Sequence, residues 1–155
     1  MAVKIKFMGG VRMVTGSSHL VITDFANILL DVGLFQGKRD QFYERNTKFS
    51  FNPRELDAVI LSHAHIDHCG NIPSLVKKGL RCKIYCTHAT RDLVKLMLED
   101  SGKIQEEDIR YVNKINKRLG LPLRKPLYTR KEASQAAQRR FQNISYNQRV
   151  CVAKN

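Results

Sequence analysis

Residues 62–70 read SHAHIDHCG, so three of the chain's five histidines fall within six positions, with an aspartate beside the third. Imidazole nitrogens and a carboxylate are good ligands for Zn²⁺, and iron or manganese could take the same set. The spacing has a geometric meaning. In an extended segment positions i and i+2 point the same way, so His63 and His65 can grip one ion. If the chain then turns into a helix, Asp67 and His68 diverge from them and face a neighbouring ion. Two ions about 3.5–4 Å apart can clamp both oxygens of an in-line displacement, and each makes bound water more acidic. Clustered imidazoles without a metal would meet desolvation and mutual repulsion with no evident structural gain.

The elements around this cluster follow from pattern. Residues 3–7 alternate and read as a strand. A glycine-bearing loop covers 8–15, and strands are expected over 19–23 and 27–31 with a turn between them. Residues 35–55 are weakly periodic and read as a long loop with one helical turn at most. A compact apolar strand over 56–63 ends at the histidines. Residues 71–80 suit a helix, 83–87 a strand, and 87–100 and 104–119 two further helices, the last stopped by Gly120 and Pro122. Thr129 and Glu132 form a capping box that opens a helix to about residue 140. Residues 143–152 suggest a hairpin turning at Asn147. His19 reads as a strand residue and His88 as the start of a helix, neither as a ligand. Strands first, then strands alternating with helices, argue for a mixed α/β (α+β) fold with helices covering a mixed sheet.

A length of 155 residues suits one domain. The formal charge is +13, and residues 111–155 carry eleven basic groups against the single acid Glu132. A polyanion such as RNA would be attracted, with strong salt dependence. No apolar run is long enough to span a bilayer, and the N-terminus lacks a signal-like apolar stretch. In a strand, Cys82 and Cys86 stand about 13 Å apart, too far for a disulfide. The four cysteines therefore read as small buried residues in a reducing compartment, cytoplasmic or, in a eukaryote, nuclear.

The H-x-H-x-D-H cluster after an apolar strand ending in L-S, with LLDVG before it, resembles the metallo-β-lactamase superfamily. GGVRMVTGSSHL, LLDVGLFQG, LSHAHIDHCGNIPSLVKKG, IYCTHATRDLVKLMLEDSGKIQEED and KPLYTRKEA together resemble its RNA-processing branch, the β-CASP ribonucleases, from residue 4 to about 145. The resemblance implies a four-layer αββα sandwich and a two-zinc hydrolase that cuts RNA phosphodiesters. His63 and His65 would hold one zinc and Asp67 with His68 the other. Asp67 would also hold the attacking water, and Asp31 would sit below, hydrogen-bonded near the ligand loop. Thr15, Gly16, Ser17 and Ser18 would line the substrate side. Implied partners are RNA, a second copy of the chain or subunits of an RNA-processing complex, with no membrane.

The family pattern continues with a further metal-binding histidine, a bridging aspartate, the β-CASP insert and a returning C-terminal portion. After His88 this chain has no histidine, and its last aspartate is Asp108. The expectation is therefore that residues 1–155 correspond to the N-terminal part of such a domain, with apolar surface left uncovered. Two alternatives stay open: a small-molecule ester or thioester hydrolase of the same superfamily, and a non-catalytic paralogue that binds RNA or a partner subunit.

Overall fold

The structure, a computed structural model, describes residues 2–139 and 141–153. Three short strands come first: β1 (Lys4–Gly9), β2 (Ser18–Ile22) and β3 (Asn27–Leu30). They form an antiparallel meander in which Ile5 pairs with Val21 and Val21 with Ile28. The turn between β2 and β3 is closed by Thr23, whose hydroxyl accepts from the Phe25 and Ala26 amides. Then β4 (Ala58–Ile60), β5 (Lys83–Cys86) and β6 (Phe141–Asn143) add in parallel, giving one sheet in the order β1-β2-β3-β4-β5-β6. Parallel neighbours need crossover connections, and helices supply them. α1 (Arg39–Thr47) lies between β3 and β4, α2 (Ile66–Cys69) and α3 (Ile72–Lys77) between β4 and β5, and α4 (His88–Arg118) and α5 (Arg130–Ala137) between β5 and β6.

The pleat sends alternate residues to opposite faces. Leu20, Leu29, Val59, Ile84 and Cys86 are buried on one face, in a single core with Ile72 and Leu75 of α3, Val94 and Leu98 of α4, and Ala133 and Ala136 of α5. The other face carries Ile5, Phe7, Val21, Ile28, Leu30 and Ile60, all in register. At its β1 end Ile5 is 53% and Phe7 65% exposed. The mixed sheet with one helical layer agrees with the expected fold class.

Several expectations need correction. The 35–55 segment holds a nine-residue helix, α1, and a 3-10 turn over Pro53–Glu55. α1 has almost no apolar stripe; Asn46, 1% exposed, fixes it by donating to the Phe35 and Phe42 carbonyls and accepting from the Phe35 amide. The strand expected over 56–63 is shorter, because β4 ends at Ile60. The two helices expected over 87–119 are one, α4, of 31 residues. The apparent break at Gly102 is a packing site: a Cβ there would lie 2.8 Å from the Arg130 Cα, so glycine lets α5 begin directly against α4. The 143–152 hairpin does not form. Asn147 does turn the chain with φ 62, but β6 pairs in parallel with β5 and residues 144–153 contain no strand.

The capping box is present as expected. The Thr129 amide donates to Glu132 Oε2 at 2.8 Å and the Glu132 amide to Thr129 Oγ1 at 3.1 Å. α5 ends at Ala137, and Arg140, where it was expected to end, lies outside the described residues. Cys69 and Cys86 are buried and Cys82 half-buried, whereas Cys151 is exposed; none of the four is in a disulfide. No helix among the described residues is long and apolar enough to cross a membrane.

Candidate metal centre

The candidate site lies at the C-terminal ends of β3 and β4, where parallel neighbours stop together. Beyond β4 the chain leaves the sheet and enters α2, with His65 at the helix N-cap in extended conformation. Small residues let this loop bury its inner side. Ala64 and Cys69 are core residues, and a Cβ on Gly70 would lie 2.4 Å from the Ile66 carbonyl oxygen. Burial pushes the Cys69 thiol up to about 12, helped by the Asp31 and Asp67 charges, so it stays a neutral packing group. Tyr128, fully buried before α5, donates to the Gly70 carbonyl at 2.6 Å and pins the end of α2.

The segment after β3 is laced to this loop by backbone bonds. Val32 N–H donates to His68 O at 2.7 Å, Leu34 N–H to Ile66 O at 3.0 Å and Asn71 N–H to Val32 O at 2.9 Å. Ser17 joins them: its amide donates to Asp67 O, and its carbonyl accepts from Gly33 N–H, both at 2.8 Å. Gly33 sits at the crossing, where an added Cβ would be 1.8 Å from the Asp67 carbonyl oxygen and 2.5 Å from the Ser17 nitrogen. Only a residue without a side chain permits that approach.

Asp31 is the hub. It is 7% exposed and has φ 60, a left-handed conformation unusual for a non-glycine residue. Its amide is held by the Ile60 carbonyl at 2.9 Å. Its carboxylate accepts from the Ser62 amide at 2.8 Å, from the Ser62 hydroxyl at 2.9 Å and from His68 Nδ1 at 2.8 Å. With the proton on Nδ1, the lone pair of His68 is on Nε2, which faces Asp67 Oδ2 at 3.5 Å. Ser62 Oγ also contacts His63 Nδ1 at 2.9 Å, so one carboxylate orients His68 directly and His63 through a hydroxyl. The three imidazoles gather: ring centroids lie 4.1 Å apart for His63 and His68, and 4.6 Å for His63 and His65.

Two ligands of one tetrahedral metal, each about 2.1 Å from it, stand about 3.4 Å apart. The His68 Nε2 and Asp67 Oδ2 pair has that separation. Among the described residues no three His, Cys, Asp or Glu side chains are arranged to hold one ion.

The residues of the 15–18 loop divide. Ser17 reaches the site, with its hydroxyl 3.4 Å from Asp31 Oδ2. The Thr15 hydroxyl is tied to Gln36, donating to its carbonyl at 3.2 Å and accepting from its amide at 3.0 Å. Gly16, with φ 78, packs its backbone against Phe35. Ser18 opens β2 opposite Gly9. Ser62 and Gly33 are the supporting residues that reading from sequence missed. The only signal was position: a serine directly before the first histidine and a glycine two residues after the aspartate.

The family model described as Metallo-beta-lactamase superfamily matches residues 11–130. Ribonuclease TTHA0252 of Thermus thermophilus is 44% identical over 99 residues, covering 64% of this chain and 22% of the relative. Transcription termination factor FttA of Methanocaldococcus jannaschii is 37% identical over 106 residues, covering 68% of this chain and 17% of the relative. The chain thus spans about a fifth of the length of these curated relatives. Among solved structures, a HARLDQ-motif mutant of a Cronobacter sakazakii metallo-beta-lactamase is 24% identical with a TM-score of 0.43, covering 57% of this chain and 32% of that one. By the extent of the family match, this chain belongs to the metallo-beta-lactamase superfamily.

Proposed function

We propose that this chain is the N-terminal part of a metallo-β-lactamase-like domain of the RNA-processing branch, whose activity is zinc-dependent hydrolysis of RNA phosphodiesters. One observation carries the reading: the Asp31 carboxylate stands behind His68 and leaves Nε2 facing Asp67 at a ligand-to-ligand spacing. The relatives named as a ribonuclease and a transcription termination factor support RNA as the substrate class, as does the excess of eleven basic groups over Glu132 in residues 111–155.

His63 and His65 would hold one zinc, and Asp67 with His68 the other. Bound zinc would supply Lewis acidity, making water nucleophilic near neutral pH and stabilising charge on phosphate oxygens. The chain's own residues do the positioning. Asp31 fixes the tautomer and ring orientation of His68, and through Ser62 those of His63. Asp67 accepts a hydrogen bond from the attacking water. The Ser17 backbone holds the Asp67 carbonyl, which keeps that carboxylate at the mouth of the site.

The test has two readouts. Metal-replete protein is expected to retain zinc by elemental analysis and to lose it when His63 and His68 are replaced by alanine. In protein that carries the rest of the domain, labelled RNA is expected to be cut in a chelator-sensitive manner, and an ester panel to be left intact. Failure of that longer protein to retain zinc, or to cut RNA when loaded with it, would overturn the reading.

A further inference from the structure

A second site lies away from the histidine loop. A cavity of about 740 Å³ opens between α1, α3 and the segment that leads into α5, and none of its lining residues belongs to the 62–70 loop. That volume is within the range of small-ligand pockets. Lys77 and Lys78 line it from α3, and Arg124 and Lys125 from the opposite side, while no carboxylate lines it. Lys77 is engaged by Glu132 at 2.8 Å, and the Lys78 ammonium lies 5.7 Å from the Phe49 ring centre. Neither Arg124 nor Lys125 forms an ion pair with a described residue.

The backbone that carries these two free cations is nonetheless fixed. Asn113 accepts from the Arg124 amide at 2.8 Å and donates to its carbonyl at 2.9 Å. The Tyr43 hydroxyl donates to the Lys125 carbonyl. Free cations select an anion, and the arginine fork suits phosphate oxygens.

We propose that this cavity binds phosphate groups carried by a nucleotide or by an RNA strand, with Arg124 and Lys125 supplying charge. The RNA source rests on the reading of the previous section; the nucleotide source does not.

The test measures binding of pyrophosphate and ADP by calorimetry. A labelled oligoribonucleotide of about ten residues, long enough to occupy a single-strand site, is followed by anisotropy. All three are run in chelator, so that metal at the histidines contributes nothing. Replacing Arg124 and Lys125 together by alanine is expected to weaken binding about tenfold and to reduce the salt slope for the oligonucleotide by about 1.4. Pyrophosphate and ADP binding without oligonucleotide binding would keep the cavity and remove RNA as its source. Equal losses when Lys4 and Lys6 are replaced by alanine instead, or full-strength binding by the Arg124 and Lys125 double variant, would overturn the proposal.

Discussion

His68 and Asp31, 37 positions apart, meet at 2.8 Å between Nδ1 and Oδ2 where two parallel strands end together. The strained backbone of Asp31, at φ 60, is what turns its carboxylate toward the ring. Outer partners of this kind fix ligand orientation and basicity, and their loss usually costs metal affinity about 10–100-fold. Asparagine tolerates the left-handed region, so Asp31→Asn should keep the backbone while weakening the hold on His68. Zinc titration against a chromophoric chelator should show a loss of affinity in that range. Unchanged affinity would remove Asp31 from the site.

Asp67 is assigned a different task from the residue beside it. In RNA-cleaving protein, Asp67→Asn should abolish cleavage and leave RNA binding largely intact, because phosphate contacts lie elsewhere. Single-turnover cleavage and anisotropy on the same preparation separate the two effects. Retained cleavage would refute the role given to Asp67.

The histidine loop was legible in the sequence because its candidate side chains are contiguous and of distinctive type. The short helix after the histidines followed from the same motif, and the Thr129 capping box from a local rule; the rings of His63 and His68 nevertheless stand closest together, at 4.1 Å, and do not diverge. What stayed hidden was held by tertiary contacts. α1 shows little apolar period, and the Asn46 side chain anchors it by bonding both the amide and the carbonyl of Phe35, a contact that no periodicity announces. α4 read as two helices because a sequence cannot say that another helix will start against Gly102, in the gap between them. Ser62 passed unnoticed because a hydroxyl gains meaning only when Asp31 arrives beside it from a strand 31 positions earlier.

Two glycines should respond very differently to the same change. In Gly33→Ala the new methyl would meet backbone atoms at 1.8 and 2.5 Å, so the crossing of the Ser17, Gly33 and Asp67 segments must come apart. A loss of about 3 kcal/mol or more is expected in urea unfolding, together with lost zinc binding. At Gly120, with φ 67, nothing lies within 4 Å. Only the left-handed strain is felt there, and about 1 kcal/mol is expected.

The outer sheet face should bind hydrophobic dye. Ile5 and Phe7 are more than half exposed and continue a row of apolar side chains across β2, β3 and β4. Replacing both by serine should reduce dye fluorescence and self-association while shifting stability by only about 0.5 kcal/mol, since little burial is lost. An unchanged dye signal would place the adhesive surface elsewhere.

The capping box of α5 carries a pH signature. Burial alone would raise the Glu132 carboxyl, but hydrogen bonds from Lys77 and Thr129 outweigh it and hold the group below its usual value of 4.5. The folded state therefore releases this proton more readily than the unfolded chain. The stabilisation is complete above the ordinary carboxylate range and fades as pH falls through the lower, folded value. Glu132→Gln should accordingly lower the thermal midpoint at about pH 7, and the difference from the parent should close toward about pH 3. Thr129→Ala removes the hydroxyl that accepts from the Glu132 amide and also donates to Glu132 Oε2. It should cost about 1 kcal/mol at neutral pH, with only the part owed to the carboxylate bond fading in acid. If the Glu132→Gln difference persisted in acid, its cap bonds would be acting without the charge. The depressed carboxyl would then contribute nothing to holding α5 against α3 and α4.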